Sequence, residues 1–168
     1  MNKTEVNRKK TIIASIIGGV IVILAVVLCF IGFSNREQVV TYERTEDGIT
    51  MSLTYYAKGD RVYKQTANNI IPYSVLGIET ATEAESILSA YFSSELEKSQ
   101  GIVGYSDEIE YTDDAVIETV VVDYDIVNLD EVKDLMGAYF SGDIDSEMNN
   151  VSLKRSGEYL ESQGFIKK

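Results

Sequence analysis

One uncharged apolar run constrains this chain more than any other feature. Residues 12–31 contain no charged side chain, and the apolar character extends to Phe33. At a rise of about 1.5 Å per residue, a helix of this length spans roughly 30 Å, the thickness of the hydrocarbon core of a bilayer. A helix of a soluble protein rarely stays uncharged around its whole circumference over that length. The sequence therefore predicts a transmembrane helix over residues 11–33.

The charges that flank this run predict its orientation and the domain boundaries. The residues after it are balanced, because Arg36 and Glu37 cancel, whereas bases dominate the residues before it. By the positive-inside rule, residues 1–10 form a cytoplasmic basic tail and the C-terminal part is extracytoplasmic. We expect residues 34–38 to form a short tether and residues 39–168 one folded domain, a size that needs neither disulfides nor metals. The bases before the run are Lys3, Arg8, Lys9 and Lys10.

Two other anchoring arrangements compete with an uncleaved helix. A cleaved signal peptide has an apolar region of about 7–15 residues followed by a small-residue cleavage site, and this run is longer and lacks such a site. A lipoprotein signal ends in a small residue directly before a cysteine, whereas bulky Leu28 precedes Cys29 here. A spanning helix therefore fits the residues best, while lipidation of Cys29 stays open as the alternative.

The charge of the chain excludes one class of partner. The whole chain carries a formal net charge of −12, and the first ten residues contribute positive charge, so the remainder is more acidic still. Such a domain repels nucleic acid, because protein affinity for nucleic acid rests on neutralising phosphates. It also lacks the basic patch that would draw it flat onto an anionic bilayer. We expect contact with the bilayer through residues 11–33, and a partner that is another envelope protein or a cationic ligand.

Period-2 alternation predicts two β-hairpins. Residues 49–57 alternate apolar and polar positions, with Ile49, Met51, Leu53, Tyr55 and Ala57 on one face, and this pattern is typical of a strand buried on one side. Gly59-Asp60 turns this strand into a second one over residues 61–66, and residues 39–45 form an edge strand before it. A later hairpin turns at Asp113-Asp114, with Ile109 and Tyr111 facing inward before the turn. Its long second strand presents one inward face, which Glu118 interrupts, so we expect a bulge or an edge position there. That inward face consists of Val116, Val120, Val122, Tyr124 and Ile126.

Three helices are predicted between and after these strands. Thr80 and Glu83 form a capping-box pair at the start of the first, and Gly101 ends it. The second covers residues 129–140 and the third residues 152–163, where Gly164 supplies a left-handed cap and Phe165 folds back on Leu160. The order of elements predicts an α+β domain with a mainly antiparallel sheet and about three helices packed on it, preceded by the transmembrane helix.

The available side chains limit the possible chemistry. The chain has no histidine and a single cysteine within the apolar run, which excludes a serine–histidine–aspartate triad, histidine-ligated zinc and a thiol nucleophile in the domain. Paired carboxylates remain, and Asp123 and Asp125 share an outward strand face near Glu108 and Glu110. A solvated acidic face is the more frequent arrangement, so no catalytic, cofactor-binding or metal-binding residue is assigned.

A calcium loop is a further comparison that the residues do not complete. Asp143, Asp145 and Glu147 copy the first spacings of an EF-hand loop. Met148 replaces the glycine that the loop requires, and Lys154 replaces its bidentate glutamate. The segment is therefore interpreted as a polar loop between helices.

Several motifs are similar to those of the YehR-like lipoprotein family of bacterial envelopes. The stretch ITMSLTYYAKGDRVYKQT at residues 49–66 carries most of the resemblance, and Tyr111-Thr112-Asp113 and the C-terminal residues 160–168 agree with it. The resemblance implies a small α+β domain on the outer face of a bacterial membrane, and no catalytic residues come with it. The chain departs from the family pattern in its interrupted lipoprotein signal.

Two functional hypotheses follow. The first is a non-enzymatic binding or interaction module that works beside the membrane in the cell envelope, and it is favoured by the missing catalytic residue types. The second is a carboxylate-dependent hydrolase of envelope glycans, which requires two acids to converge in a pocket.

Overall fold

The computed structural model describes residues 36–136 and 151–168. The predicted cytoplasmic tail, the predicted transmembrane helix at 11–33 and the start of the tether lie outside these residues. Within them, none of the helices has the length and apolar character needed to cross a membrane. Residues 37 and 38, predicted as tether, already belong to the first strand, so the fold begins two residues earlier than expected.

The described residues form seven strands and four helices. The strands are β1 (Glu37–Glu46), β2 (Ile49–Lys58), β3 (Arg61–Pro72), β4 (Tyr105–Tyr111), β5 (Ala115–Asp123), β6 (Val151–Ser152) and β7 (Ile166–Lys167). The helices are α1 (Tyr73–Leu76), α2 (Ala81–Ser99), α3 (Leu129–Met136) and α4 (Leu153–Ser162).

All the strands belong to one antiparallel sheet. Its order is β4, β5, β3, β2, β1 and β7, with β6 paired to the start of β3. Strand β2 alternates strictly, with its odd-numbered residues buried, as the sequence predicts. The buried residues of the described helices join the same core cluster as this buried face, so the sheet has a core face and an open face. The α+β class and the mainly antiparallel sheet are therefore confirmed.

The two ends of the sheet differ in what they bring together. One end holds the Gly59-Asp60 turn, the start of β4 and the end of β5, and is called the Gly59 end below. The other holds the Asp47-Gly48 turn and the Asp113-Asp114 turn, and is called the Gly48 end. Gly59 donates its N–H to the carbonyl of Arg36 over 2.8 Å, which places the start of the described chain at the Gly59 end.

The prediction of a bulge or an edge position at Glu118 is wrong. Glu118 pairs in regular register with Asn69 on β3 and with Ile109 on β4, so it lies in an interior strand. The register shift occurs instead between β2 and β3, after Tyr56, where Tyr63 is the extra residue. On its other side β3 stays in regular register with β5, and the Tyr63 carbonyl accepts the N–H of Tyr124 over 2.8 Å. An acid inside an apolar pattern therefore marks a buried polar contact here, not a broken strand.

The long strand also ends earlier than its apolar pattern suggests. Strand β5 stops at Asp123, whose carboxylate accepts the N–H of Asp125 and whose carbonyl accepts the N–H of Val127. This aspartate-stabilised turn shifts the buried positions by one residue, from even-numbered to odd-numbered residues. Ile126, predicted to face inward, is 58% exposed, and Val127 takes a buried position instead.

The helix caps agree closely with the sequence. Thr80 accepts the N–H of Glu83 at the start of α2, although the Glu83 carboxylate accepts from Glu79 and not from the cap residue itself. Gly101 follows this helix with a φ of 85°. Helix α4 begins after Ser152, and Phe165 donates its N–H to the carbonyl of Leu160 over 3.0 Å, as predicted.

The second predicted helix is confirmed in part. Helix α3 buries Leu129 and Val132, but the predicted residues 137–140 lie outside the described residues. The four-residue helix α1 and the short strands β6 and β7 were not predicted. The two strands depend on distant partners, β3 and β1, that a local pattern does not reveal, and the first residue of α1, Tyr73, donates its N–H to the carbonyl of Asp114.

Helix α4 approaches the sheet closely because it lacks side-chain volume at one position. A Cβ atom added to Gly157 would lie 2.1 Å from the Tyr42 hydroxyl oxygen and 2.9 Å from Cζ of the same ring. Tyr42 is buried on β1 and stacks edge-on with Tyr55, whose ring centre lies 6.2 Å away. The absence of a side chain at Gly157 therefore sets the distance between α4 and the sheet.

We expect Gly157→Ala to destabilise the domain by about 1–3 kcal/mol, because overpacking against Tyr42 outweighs the roughly 1 kcal/mol gain in helix propensity. Urea unfolding followed by tyrosine fluorescence measures this change. All 11 tyrosines lie C-terminal to residue 41, so the signal comes from the predicted domain and not from the apolar run. In a Tyr42→Phe background the loss should shrink, because the closest atom is gone. A Gly157→Ala protein as stable as the parent would contradict the close approach.

Candidate functional site

The described helices leave one face of the sheet uncovered. Alternate residues of five strands lie on it, and their register aligns them in rows across the sheet. One row joins Thr41, Thr54, Thr66 and Val121. Hydroxyl or amide groups recur through the face, at Thr41, Thr45, Thr50, Ser52, Thr54, Thr66, Asn68, Ser106 and Thr119.

Some of these polar groups bind one another across strands. Asn68 donates to the Thr119 hydroxyl over 3.1 Å, and the Thr41 and Thr54 hydroxyls lie 2.8 Å apart. Ser52 donates to the carbonyl of Asn68 over 3.3 Å. Hydroxyl groups both donate and accept, so each retains further hydrogen-bonding capacity towards a partner. The face therefore offers rows of ordered hydrogen-bonding groups, interspersed with apolar side chains such as Val39, Ile70 and Val121.

The acids singled out in the sequence do not converge on this face. Asp123 lies opposite Lys64, whereas Glu108 lies opposite Thr119, four residues further along the strand. At about 3.4 Å per residue, that offset is about 14 Å, beyond the usual separation of a catalytic carboxylate pair. Asp125 lies beyond the strand in the turn and forms an ion pair with Arg61. The predicted carboxylate group is therefore dispersed, although Glu108 and Glu110 remain exposed neighbours on β4.

Negative charge is concentrated at the Gly48 end. Tyr73 lies there, and its N–H bonds the carbonyl of Asp114 over 2.8 Å. Burial raises the pKa of Tyr73, and the negative charges of Asp114 and Asp113 raise it further. Arg44 pairs there with Glu46. The acids of this end are Glu46, Asp47, Glu79, Glu83, Asp113 and Asp114.

A polar contact also lies within the core. Glu118 is 5% exposed, and its carboxylate accepts a 2.7 Å hydrogen bond from the side-chain amide of Asn69. Asp107 on β4 also faces the core, because it lies opposite Val120. An interior carboxylate is stable only with such partners, since an ion without them is costly to bury. The sequence marked Glu118 as exceptional, whereas nothing in the local pattern marked Asn69.

Buried tyrosines form a second polar group in the core. Tyr124 donates to the Gln65 carbonyl oxygen over 2.9 Å, and both side chains are buried. Burial raises the pKa of Tyr124, and nearby Tyr55 adds to the effect. Burial likewise raises the pKa of Tyr55, and a contact with Ser156 offsets part of this rise. Of these contacts, the one between Tyr55 and Ser156 joins the sheet to helix α4.

Metal-ligating side chains are scattered over the described part of the chain. Among residues 36–136 and 151–168, acids do not gather in groups of three or more that could hold a metal ion. The EF-hand-like residues Asp143, Asp145 and Glu147 lie outside the described part of the chain. The interpretation of this segment as a polar loop therefore stays a prediction from the sequence.

Comparison with known proteins gives consistent matches. A family profile described as "Protein of unknown function (DUF1307)" matches residues 38–166. The uncharacterized lipoprotein Lin0239 of Listeria innocua is 39% identical over 145 residues, which cover 86% of this chain and 89% of that protein. The uncharacterized lipoprotein YehR of Escherichia coli is 24% identical over 145 residues, which cover 85% of this chain and 91% of that protein.

Solved structures share the fold. The NMR structure of Escherichia coli YehR superposes with a TM-score of 0.62 at 22% identity, and the match covers 79% of this chain and 91% of that one. The NMR structure of a protein from Streptococcus pneumoniae gives a TM-score of 0.54 at 12% identity, covering 84% and 91%. At these identities the likeness is one of fold. The resemblance to YehR-like lipoproteins predicted from the hairpin motif is thus confirmed.

The raised tyrosine pKa values predict a loss of stability in alkali. The pKa of Tyr124 is raised well above its ordinary value, so its contribution is complete below about pH 10 and is lost as pH rises further. We expect the free energy of unfolding to fall above this pH, and Tyr124→Phe to reduce the slope by up to about 1.4 kcal/mol per pH unit. Urea unfolding at several alkaline pH values tests this. Equal slopes for the two proteins would contradict a buried, neutral Tyr124.

Asn69→Asp should destabilise the domain in a pH-dependent manner. The new carboxylate would stand at hydrogen-bond distance from Glu118, and two buried carboxylates raise one pKa of the pair strongly. We expect a loss of about 2–4 kcal/mol near neutral pH that shrinks as pH falls towards about 4 and the pair shares a proton. The exposed variant Asn128→Asp serves as control and should change little. A loss of equal size at both pH values would contradict the contact.

Proposed function

The chain belongs to the family described as protein of unknown function DUF1307, and from that premise we propose that it is a non-enzymatic binding module of the bacterial cell envelope. Its partner is a cationic segment of another envelope protein, which lies across the open face of the sheet. The observation that carries this proposal is the two-sided sheet: the described helices pack on one face and leave the other, with its rows of hydroxyl and amide groups, uncovered. The proposal includes attachment to the membrane at the N-terminus.

The names of the relatives support an envelope location. Lin0239, Lmo0207 and YehR are all called lipoproteins, a class held at a membrane by its N-terminus. In this chain the apolar run at residues 11–33 takes the same place, with the domain extracytoplasmic and residues 1–10 cytoplasmic. Cys29 within the run is the alternative point of attachment.

The chemistry of the open face supports a polar, cationic partner. The hydroxyl and amide rows offer hydrogen bonds, and the same face carries the acids Glu43, Glu108, Glu110 and Asp123 against the bases Lys58 and Lys64. Glu43 is engaged by Lys168 over 2.6 Å, whereas Glu108 and Glu110 are exposed on β4. The acidity of the whole domain steers cationic partners towards it, and salt weakens this attraction.

A charge-reversal pair tests this proposal. The full-length protein in detergent is titrated with an oligolysine peptide at low salt, and Glu108→Lys/Glu110→Lys is compared with Glu85→Lys/Glu97→Lys. All four acids are exposed, and both variants change the net charge equally, but Glu85 and Glu97 lie on α2 in the helix layer. We expect the strand variant to lose roughly tenfold in affinity and the helix variant much less, because short-range charges dominate once a partner docks.

The outcome separates specific docking from general attraction. In NMR spectra, peptide-induced shifts should concentrate at open-face residues such as Thr66 and Thr119. If both variants weaken binding to the same extent, the attraction comes from net charge alone and the open face is not the binding surface. Loss of binding in the helix variant alone would move the site to the other layer.

A further inference from the structure

The Gly59 end of the domain is held close to the point where the chain leaves the predicted anchor. Arg36 accepts the Gly59 N–H, and the Gln38 side chain donates to the Gly59 carbonyl over 2.8 Å. Strand β1 begins at Glu37, so if Phe33 ends the membrane span, fewer than about 15 Å of chain separate span and sheet. The polar headgroup layer accounts for roughly 5–8 Å of that distance. This end of the fold must therefore lie near the bilayer surface.

Two apolar side chains are exposed at the same end. Val103 is 69% exposed and Ile126 is 58% exposed. Gly104 bonds the end of β5, since its carbonyl accepts the Asp123 N–H over 2.7 Å, and the loop around it packs against Ile126. A Cβ atom at Gly104 would lie 2.8 Å from a side-chain carbon of Ile126. The backbone therefore holds the two exposed side chains in neighbouring turns.

The charges of the Gly59 end favour approach to a membrane. Its acids are largely engaged: Asp125 pairs with Arg61, and Asp60 accepts from Ser152 and from the Lys154 N–H, each over 2.7 Å. Among the described residues, acids and bases nearly balance there, whereas acids dominate the Gly48 end. The described bases of the Gly59 end are Arg36, Lys58, Arg61, Lys64, Lys98, Lys154 and Arg155, and the described acids are Glu37, Asp60, Glu97, Asp123, Asp125, Asp130, Glu131 and Glu158.

We propose that the Gly59 end rests on the outer surface of the lipid bilayer, with Val103 and Ile126 inserted at the level of the headgroups. Apolar side chains are stabilised when they leave water for this layer, and the near balance of charge among the described residues of this end reduces the electrostatic repulsion that an acidic surface would meet there. The strongly acidic Gly48 end then points away from anionic lipid. The contact rests on the N-terminal membrane attachment that the proposed function includes, and goes beyond it by orienting the domain.

The chain contains no tryptophan, so one introduced tryptophan reports alone on its surroundings. The full-length protein is reconstituted in phosphatidylcholine–phosphatidylglycerol vesicles as Val103→Trp, Ile126→Trp or Ile166→Trp. Ile166 is the matched control because it is 67% exposed but lies on β7, paired beside Glu43 and away from the Gly59 end. Quenching by brominated lipids and by aqueous acrylamide is measured in each protein that floats with the vesicles.

We expect brominated lipid to quench tryptophan at 103 and 126 at least about twofold more than at 166, with acrylamide giving the opposite order, because tryptophan favours the interfacial layer. Co-flotation with equal quenching at all three positions would overturn the contact but not the attachment. Absence of co-flotation would overturn both. Acrylamide protection at 103 and 126 without lipid quenching, growing with protein density, would overturn the bilayer contact in favour of a contact between copies of this chain.

Discussion

Strict alternation in a central strand is the constraint on which this structure depends. Every odd-numbered residue from Ile49 to Ala57 is buried, and every even-numbered residue between them lies on the open face. The neighbouring strands are paired in register with β2, so their buried residues alternate in the same way. A shift of this register by one residue would move the apolar side chains of a strand from the core face to the solvent. The bulge at Tyr63 preserves the alternation, because it returns Val62 to the core face opposite Ala57. Core, open face and both ends of the sheet follow from this register.

The features predictable from sequence are those that local physics determines. The β2–β3 hairpin, the Thr80 cap and the Phe165 fold-back each depend on residues close in the chain, and all three were predicted correctly. Ile126 was predicted wrongly because one aspartate side chain, that of Asp123, closes a turn and shifts the pattern by one position. The alternation of apolar and polar residues does not reveal such a turn, so the pattern assigned Ile126 to the buried face although its side chain is exposed.

Long-range partners account for the rest. Glu118 looked like an interruption because its partner, Asn69, lies 49 positions away, and only the strand order brings them together. The order places β5 between β3 and β4, which a linear sequence does not state. The same cause dispersed the predicted acids, since the register sets Glu108 four residues from the level of Asp123. The polar residues of the open face were predictable strand by strand, but their rows were not.

The polar groups of the core and the open face are related by one physical condition. A sheet with helices on one face buries most side chains that point to that face, and the buried polar side chains among them, such as Glu118, Gln65 and Tyr124, need partners within the protein. Side chains on the other face keep water or a ligand as partners, and rows of hydroxyls there cost the fold little.

In a domain tethered at the Gly59 end, the strands would run roughly along the bilayer normal, and the open face would point sideways, parallel to the membrane surface. A neighbour in the same membrane could then reach the face without unfolding any part of the domain, and the bonds among its hydroxyls, such as Thr41 with Thr54, already order the side chains that such a partner would meet.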